Sequence, residues 1–266
     1  MGHNKNASEC EAWFNVGEGE VPLSSLPATL PDGVELQHVN GCHGFADGHP
    51  YMWSLMKDSL RRKYFSPAAT QKPAVPQYRA DAVNVAVHVR RGDVVKDCGL
   101  GGRIDENTHE RSRCMPVEYV AKVIEQVVAK LRNMTSRPVN LQVFTEVSRH
   151  DKGDELDSIK AVYPTVGLNL DGSVLMTFHA LMSADVLIMA HSSFSLMAAV
   201  YGAPEQLVIY DQFWHSGVPE WLRVKDGKVG GDGWQWKEDY LYQRAIGMVE
   251  RRIGFAEEKA VTLPIS

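Results

Sequence analysis

Residues 83–93 read VNVAVHVRRGD, an alternation of valines that ends in a histidine, two arginines, a glycine and an aspartate. Alternation with period two puts Val85, Val87 and Val89 on one face of a strand and Asn84, Ala86, His88 and Arg90 on the other. Working outward, apolar strand-like runs recur at 139–145, 165–170, 185–190 and 206–211. Helical patterns at 116–134, 153–162, 173–183 and 193–201 separate them, with Gly202 placed as a helix C-cap. Short β-branched runs alternating with amphipathic helices predict an α/β chain with a doubly wound, Rossmann-like parallel sheet, whose ligands sit beyond the carboxyl ends of the strands. The polar end of the 83–93 strand falls on that rim.

The rest of the chain is less regular. Residues 1–82 contain a loop rich in Pro and Ser, VPLSSLPATLPDG, a short strand candidate VELQHV, an amphipathic helix in HPYMWSLMKDSLRRKYF and a Pro-rich linker at 67–76. We divide the chain into an N-terminal part with linker, 1–82, and a regular Rossmann-like domain, 83–266, closed by a solvated or lobe-bridging helix at 238–253. With 266 residues, 44% of them hydrophobic, and a formal net charge of −5, the composition is that of a globular protein with no basic excess for nucleic acid. No run approaches the roughly 18 apolar residues that a membrane span needs. Four cysteines, Cys10, Cys42, Cys98 and Cys114, contain no C-x-x-C spacing, so structural thiols are the default and no metal is expected; His109 reads as a loop histidine. Two glycosylation sequons, Asn6-Ala-Ser8 and Asn133-Met-Thr135, are compatible with a secretory compartment.

Three features converge on the carboxyl rim. Arg90 carries a planar guanidinium fork suited to phosphate, while Arg91 points to the other side of the strand unless the turn at Gly92 re-aims it. The alternative is an ion cluster in which both arginines neutralise Asp93 and a further carboxylate. SADVLIMAHSSFSLMAAVYG, 183–202, is a strand running through His191-Ser192-Ser193 into a helix, which makes Ser193 a natural N-cap and presents free N–H groups to an anion. The strand ending VFTE places Glu146 at the same rim.

HVRRGD at 88–93 resembles the H-x-R-R-x-D signature of the α1,2-, α1,6- and protein-O-fucosyltransferase superfamily. CMPVEYV at 114–120, VFTE at 143–146 and ADVLIMAHSSFSLMAAVYG at 184–202 are similar, in order and spacing, to further segments of that family. The resemblance implies a GT-B-like fold with a short or incomplete N-terminal lobe. It implies an inverting transfer of fucose from GDP-fucose to a glycan or protein acceptor, with no metal cofactor; the alternatives are a related transferase using another nucleotide sugar and a catalytically silent nucleotide- or glycan-binding module. The location expected is the secretory pathway, Golgi or ER lumen, if the full-length protein carries an anchor, with the chain as written soluble. It implies that Arg90 binds the donor diphosphate, that His88 contacts the guanine or its ribose, that Ser192 and Ser193 bind phosphate, and that Arg91 and Asp93 complete the motif. Where relatives carry an acid for the guanine edge, this chain has Thr177; where some place a glutamate base, it has Cys98, which leaves Asp97, Asp105 or Glu146 as the carboxylate. Trp214, Trp234 and Trp236 in glycine-flanked loops are candidates for stacking on an acceptor sugar or, equally, for packing.

Overall fold

The computed structural model describes residues 7–17, 51–94, 114–147, 156–215, 217–225, 227–230 and 235–262, with single residues at 25, 27 and 29. The chain divides into two compact units, Met1–Pro73 and Ala74–Ser266. In the first, helix α1 (Ala7–Phe14) and helix α2 (Tyr51–Tyr64) meet at Tyr64, whose hydroxyl accepts from Trp13 Nε1 at 3.0 Å and whose ring lies 5.6 Å from that of Phe14. Lys72 tightens the pair, with its ammonium 4.3 Å from the Tyr64 ring centroid and 2.6 Å from the Trp13 carbonyl. The expected strand VELQHV lies outside the described residues.

The second unit is built on a seven-stranded sheet. In chain order it comprises β1 (Val83–Val89), α3 (Val117–Met134), β2 (Val139–Thr145), α4 (Asp157–Val162), β3 (Gly167–Leu170), α5 (Val174–Ser183), β4 (Val186–Ile188), α6 (Ser193–Tyr201), β5 (Leu207–Asp211), β6 (Leu222–Lys225), β7 (Lys228–Val229) and α7 (Gln235–Thr262). The spatial order is β3-β2-β1-β4-β5-β6-β7, parallel throughout except for β7, which runs antiparallel to β6. The doubly wound parallel sheet expected from the alternation is therefore present. The order reverses between β1 and β4, so the crevice at the switch point opens beside their carboxyl ends. Strands β6 and β7 were not anticipated: LRVK and KV are too short to stand out from the Trp- and Gly-containing loops around them.

Burial follows the predicted faces. Val83, Val85, Val87 and Val89 join one apolar cluster with the α3 stripe Val117, Val120, Ala121, Ile124, Val127 and Leu131, which recurs at three- and four-residue spacing. Leu241, Tyr242, Ala245 and Val249 of α7 complete that layer. This corrects the expectation of a solvated terminal helix: α7 runs from 235 rather than 238 and packs an apolar face on the sheet. Helices α5 and α6 cover the other side, with Phe178 edge-on to both Phe194 and Tyr201. Gly202 does stand at the α6 C-cap, in extended rather than left-handed backbone (φ −60°), and a Cβ there would come 2.1 Å from Gln206 Oε1, so a larger residue would displace that side chain.

At the amino edge a polar network locks β1 to β4. The Asp185 carboxylate, fully buried, accepts from the Asn84 backbone N–H at 2.8 Å and from both Arg252 terminal nitrogens at 3.0 and 3.2 Å. Arg252 also donates to the Ala80 and Ala82 carbonyls. Burial raises the Asp185 pKa, against the pull of the Asn84 N–H and the Arg252 charge. Arg252→Met removes the countercharge of a carboxylate that has no water to turn to. It should cost about 3 kcal/mol of stability in urea denaturation, more than Asp185→Asn, which leaves Arg252 able to reach solvent. An Arg252→Met protein as stable as the parent would show that the pair contributes nothing.

Candidate functional site

Strand β1 ends at Val89, and the chain turns through Gly92, whose φ of +62° is a left-handed conformation that glycine adopts without strain. That turn leaves Arg90 beside the β4–α6 loop. Arg90 Nη1 donates to Ser192 Oγ at 3.3 Å, and Nη2 lies 3.3 Å from both carboxyl oxygens of Asp93, which is largely exposed. Arg90 Nε is buried and has no hydrogen-bond partner. Arg91, by contrast, is buried at 6% exposure.

The α6 N-cap is Ser192, not Ser193. Ser192 has the extended backbone that a cap requires (φ −150°, ψ 130°), and its Oγ accepts from the Phe194 N–H at 3.2 Å. Ser193 is already helical, and its hydroxyl is 2.7 Å from His215 Nε2. The capping serine thus touches Arg90 and the first N–H groups of α6 together, 102 residues apart in sequence.

His88 shares the Arg90 face of β1. Its ring packs 5.5 Å from Phe194, and its Nδ1 is enclosed without a partner although the residue keeps some surface. Burial and then the Arg90 charge push its pKa down to about 4. Glu146 sits exposed at the end of β2, with its carboxyl leaning over the β1 turn: a Cβ at Gly92 would come 2.2 Å from Glu146 Oε2. Thr177 is half-buried one turn into α5, next to Phe178 and with its hydroxyl near Gly172 at the β3–α5 turn. Asp97, Cys98, Asp105 and His109 lie outside the described residues, as do Trp234 and the Trp236 side chain. Trp214 is part-exposed, with its ring 4.9 Å from Phe213. Among the described residues no three His, Cys, Asp or Glu side chains group as metal ligands, and no described helix is long and apolar enough to cross a membrane. Cys114 is disulfide-bonded, against the expectation of a structural thiol, and Cys10 is free.

A further group of residues, His191, Asp211, Tyr119, Phe213 and His215, forms an arrangement that the strand pattern does not single out. His191 Nε2 lies 3.3 Å from Asp211 Oδ2, which also accepts from the Tyr119 hydroxyl at 2.9 Å, and the His191 ring stacks on Phe213 at 5.6 Å. His215 completes the set through Ser193. The signal was present in the polar ends of two strands, AHSS after β4 and DQFWH after β5, which the parallel order brings side by side.

No family model matches the chain, and no curated protein matches it by sequence. Among solved structures it is similar to POFUT1 in complex with GDP, at 20% identity and a TM-score of 0.29 over 56% of this chain and 46% of that one. It is also similar to POFUT1 in complex with GDP-fucose, at 20% identity and a TM-score of 0.28 over 56% and 45%. The chain spans less than half the length of these structures.

The His88 geometry has a consequence for pH. Its folded pKa of about 4 lies below the unfolded value of about 6.5, so the neutral ring's contribution is complete above pH 6.5 and is lost as the pH falls from there toward 4. Denaturant titrations should show stability declining through that window, and His88→Phe should show a shallower decline. An NMR titration in which His88 protonates near pH 6.5 would contradict the enclosed Nδ1.

Proposed function

We propose that this chain is an inverting, metal-independent glycosyltransferase that moves fucose from GDP-fucose to a hydroxyl of a glycan or protein acceptor. The observation that carries the reading is the buried, unpartnered Arg90 Nε at the β1–β4 switch point, beside the Ser192-capped N-terminus of α6. A guanidinium with a spare enclosed donor, next to helix N–H groups, suits a diphosphate. The HVRRGD resemblance supplies the sugar and the base: His88 would meet the guanosine, with Thr177 toward the base edge, Ser192 and Ser193 would support the phosphates, and the buried Arg91 would complete the motif from inside the protein. The Cys114 disulfide and the exposed sequon residue Asn133 support maturation in a secretory compartment.

The chemistry follows from the charges. The acceptor oxygen attacks the anomeric carbon from the face opposite the diphosphate, and the C1–O bond breaks with its electron pair passing to the β-phosphate. Arg90 and the α6 N–H groups stabilise that charge as it develops. The acceptor proton passes to a carboxylate, Glu146 or Asp97, or to the departing phosphate. Asp93 braces Arg90 through its paired 3.3 Å contacts. The same contacts favour a second reading, in which the arginine serves a strand-end ion cluster on a catalytically silent module.

Two lysine variants separate these readings. Arg90→Lys keeps the charge and loses the fork, and should cost about 2–4 kcal/mol in transition-state stabilisation together with GDP affinity. Arg91→Lys should chiefly lower thermal stability, since that residue is buried in the protein. Calorimetric titration with GDP, UDP and GDP-fucose, followed by a donor-hydrolysis assay, reads both. Equal and near-parental GDP affinity in the two variants would defeat the diphosphate assignment.

A further inference from the structure

We infer that His215 is a positioning residue for this phosphate site: it donates its Nε2–H to Ser193 Oγ and so turns the Ser193 hydroxyl hydrogen toward an anion at the α6 N-terminus. The inference rests on the diphosphate reading above and adds a residue that the sequence motifs do not mark.

A serine hydroxyl has one hydrogen and two lone pairs, so the 2.7 Å bond to His215 settles what Ser193 presents outward. If Ser193 donated to the imidazole, its lone pairs would face an incoming anion and oppose it. If the imidazole donates, the hydroxyl hydrogen is left for the anion. A neutral ring with its hydrogen on Nε2 is enough, and no change of charge is needed. The ring is also fixed in place. His215 is 3% exposed, its carbonyl accepts from the Tyr210 hydroxyl at 2.6 Å, and burial pushes the Tyr210 pKa up to about 12, keeping that phenol a donor. Its ring stands edge-on to Phe213, 5.3 Å between centroids, and Phe213 stacks in turn on His191. The end of β5 and the loop after it therefore grip the β4–α6 junction twice, through Asp211 to His191 and through His215 to Ser193. The Arg90 guanidinium on the adjoining strand end, with its enclosed Nε left without a partner, supplies the positive charge beside this turn.

The test is a double-mutant cycle read by calorimetric titration with GDP and with pyrophosphate. Ser193→Ala and His215→Leu should each weaken binding about tenfold, the loss of one hydrogen bond to a charged group. The double variant should be no weaker than either single one. His215→Gln, whose amide donates from near the Nε2 position, should recover most of the affinity. In the unmodified protein with GDP bound, the ¹⁵N spectrum of His215 should show the hydrogen on Nε2, a readout that stands even if the leucine variant does not fold. Additive losses, parental affinity in His215→Leu, or a bare Nε2 in the GDP complex would overturn the role of His215. Loss of GDP binding in Arg90→Lys with retention in His215→Leu would overturn this inference alone. No affinity of the parent for either ligand would overturn it together with the diphosphate reading.

Discussion

The pairing of β1 with β4 is the contact on which the rest depends. It is short: Val85 faces Val186, Ala86 faces Leu187 and Val87 faces Ile188, and the ladder then ends. Three register pairs are few, so the amino edge supplies what the ladder lacks, through the Asn84–Asp185 exchange of backbone and carboxylate bonds and through the Arg252 clamp. A shift of register by one residue would turn His88 and Arg90 to the opposite face and separate Arg90 from Ser192. Stability at one edge thus determines chemistry at the other.

The carboxyl edge is assembled from pieces that are each incomplete alone. Arg90 brings a charge but leaves its Nε unmatched, Ser192 caps a helix while receiving that arginine, and Ser193 depends on a histidine from a third loop. Aromatic packing holds these pieces together: His88 on Phe194, Phe194 on Phe178, and His191 on Phe213. Rings are stiff and bury large areas, so they fix loop ends at low entropic cost. Such preorganisation is what a site needs if it is to stabilise charge in a leaving group without first rearranging.

Much of this was legible in the sequence, for a physical reason. The first five strands read as short apolar runs and the helices between them as amphipathic, because a parallel sheet covered on both faces demands both, and the strand bounds agree closely with the apolar runs at 83–90, 139–145 and 206–211. The placement of Arg90 and the loop serines on one rim followed from strand direction alone. What was misread depends on side-chain geometry that periodicity does not encode: which of two adjacent serines has extended backbone, and where Arg252 reaches from a helix that looked solvated. His215 and Asp211 were passed over because their partners come from another strand end, and only the sheet order β1-β4-β5 brings them together. Residues 95–113, which hold Asp97 and Cys98, lie outside the described residues.

The central claim is that the β1–β4 crevice holds a diphosphate between Arg90 and the N-terminus of α6. The most direct measurement is the position of the diphosphate in a structure determined with GDP. The account predicts phosphate oxygens within hydrogen-bond distance of Arg90 Nε and of the Ser192–Ser193 turn, with the Arg90–Asp93 contacts loosened. GDP seated away from that crevice, with Arg90 still paired to Asp93 and its Nε still without an acceptor, would contradict it.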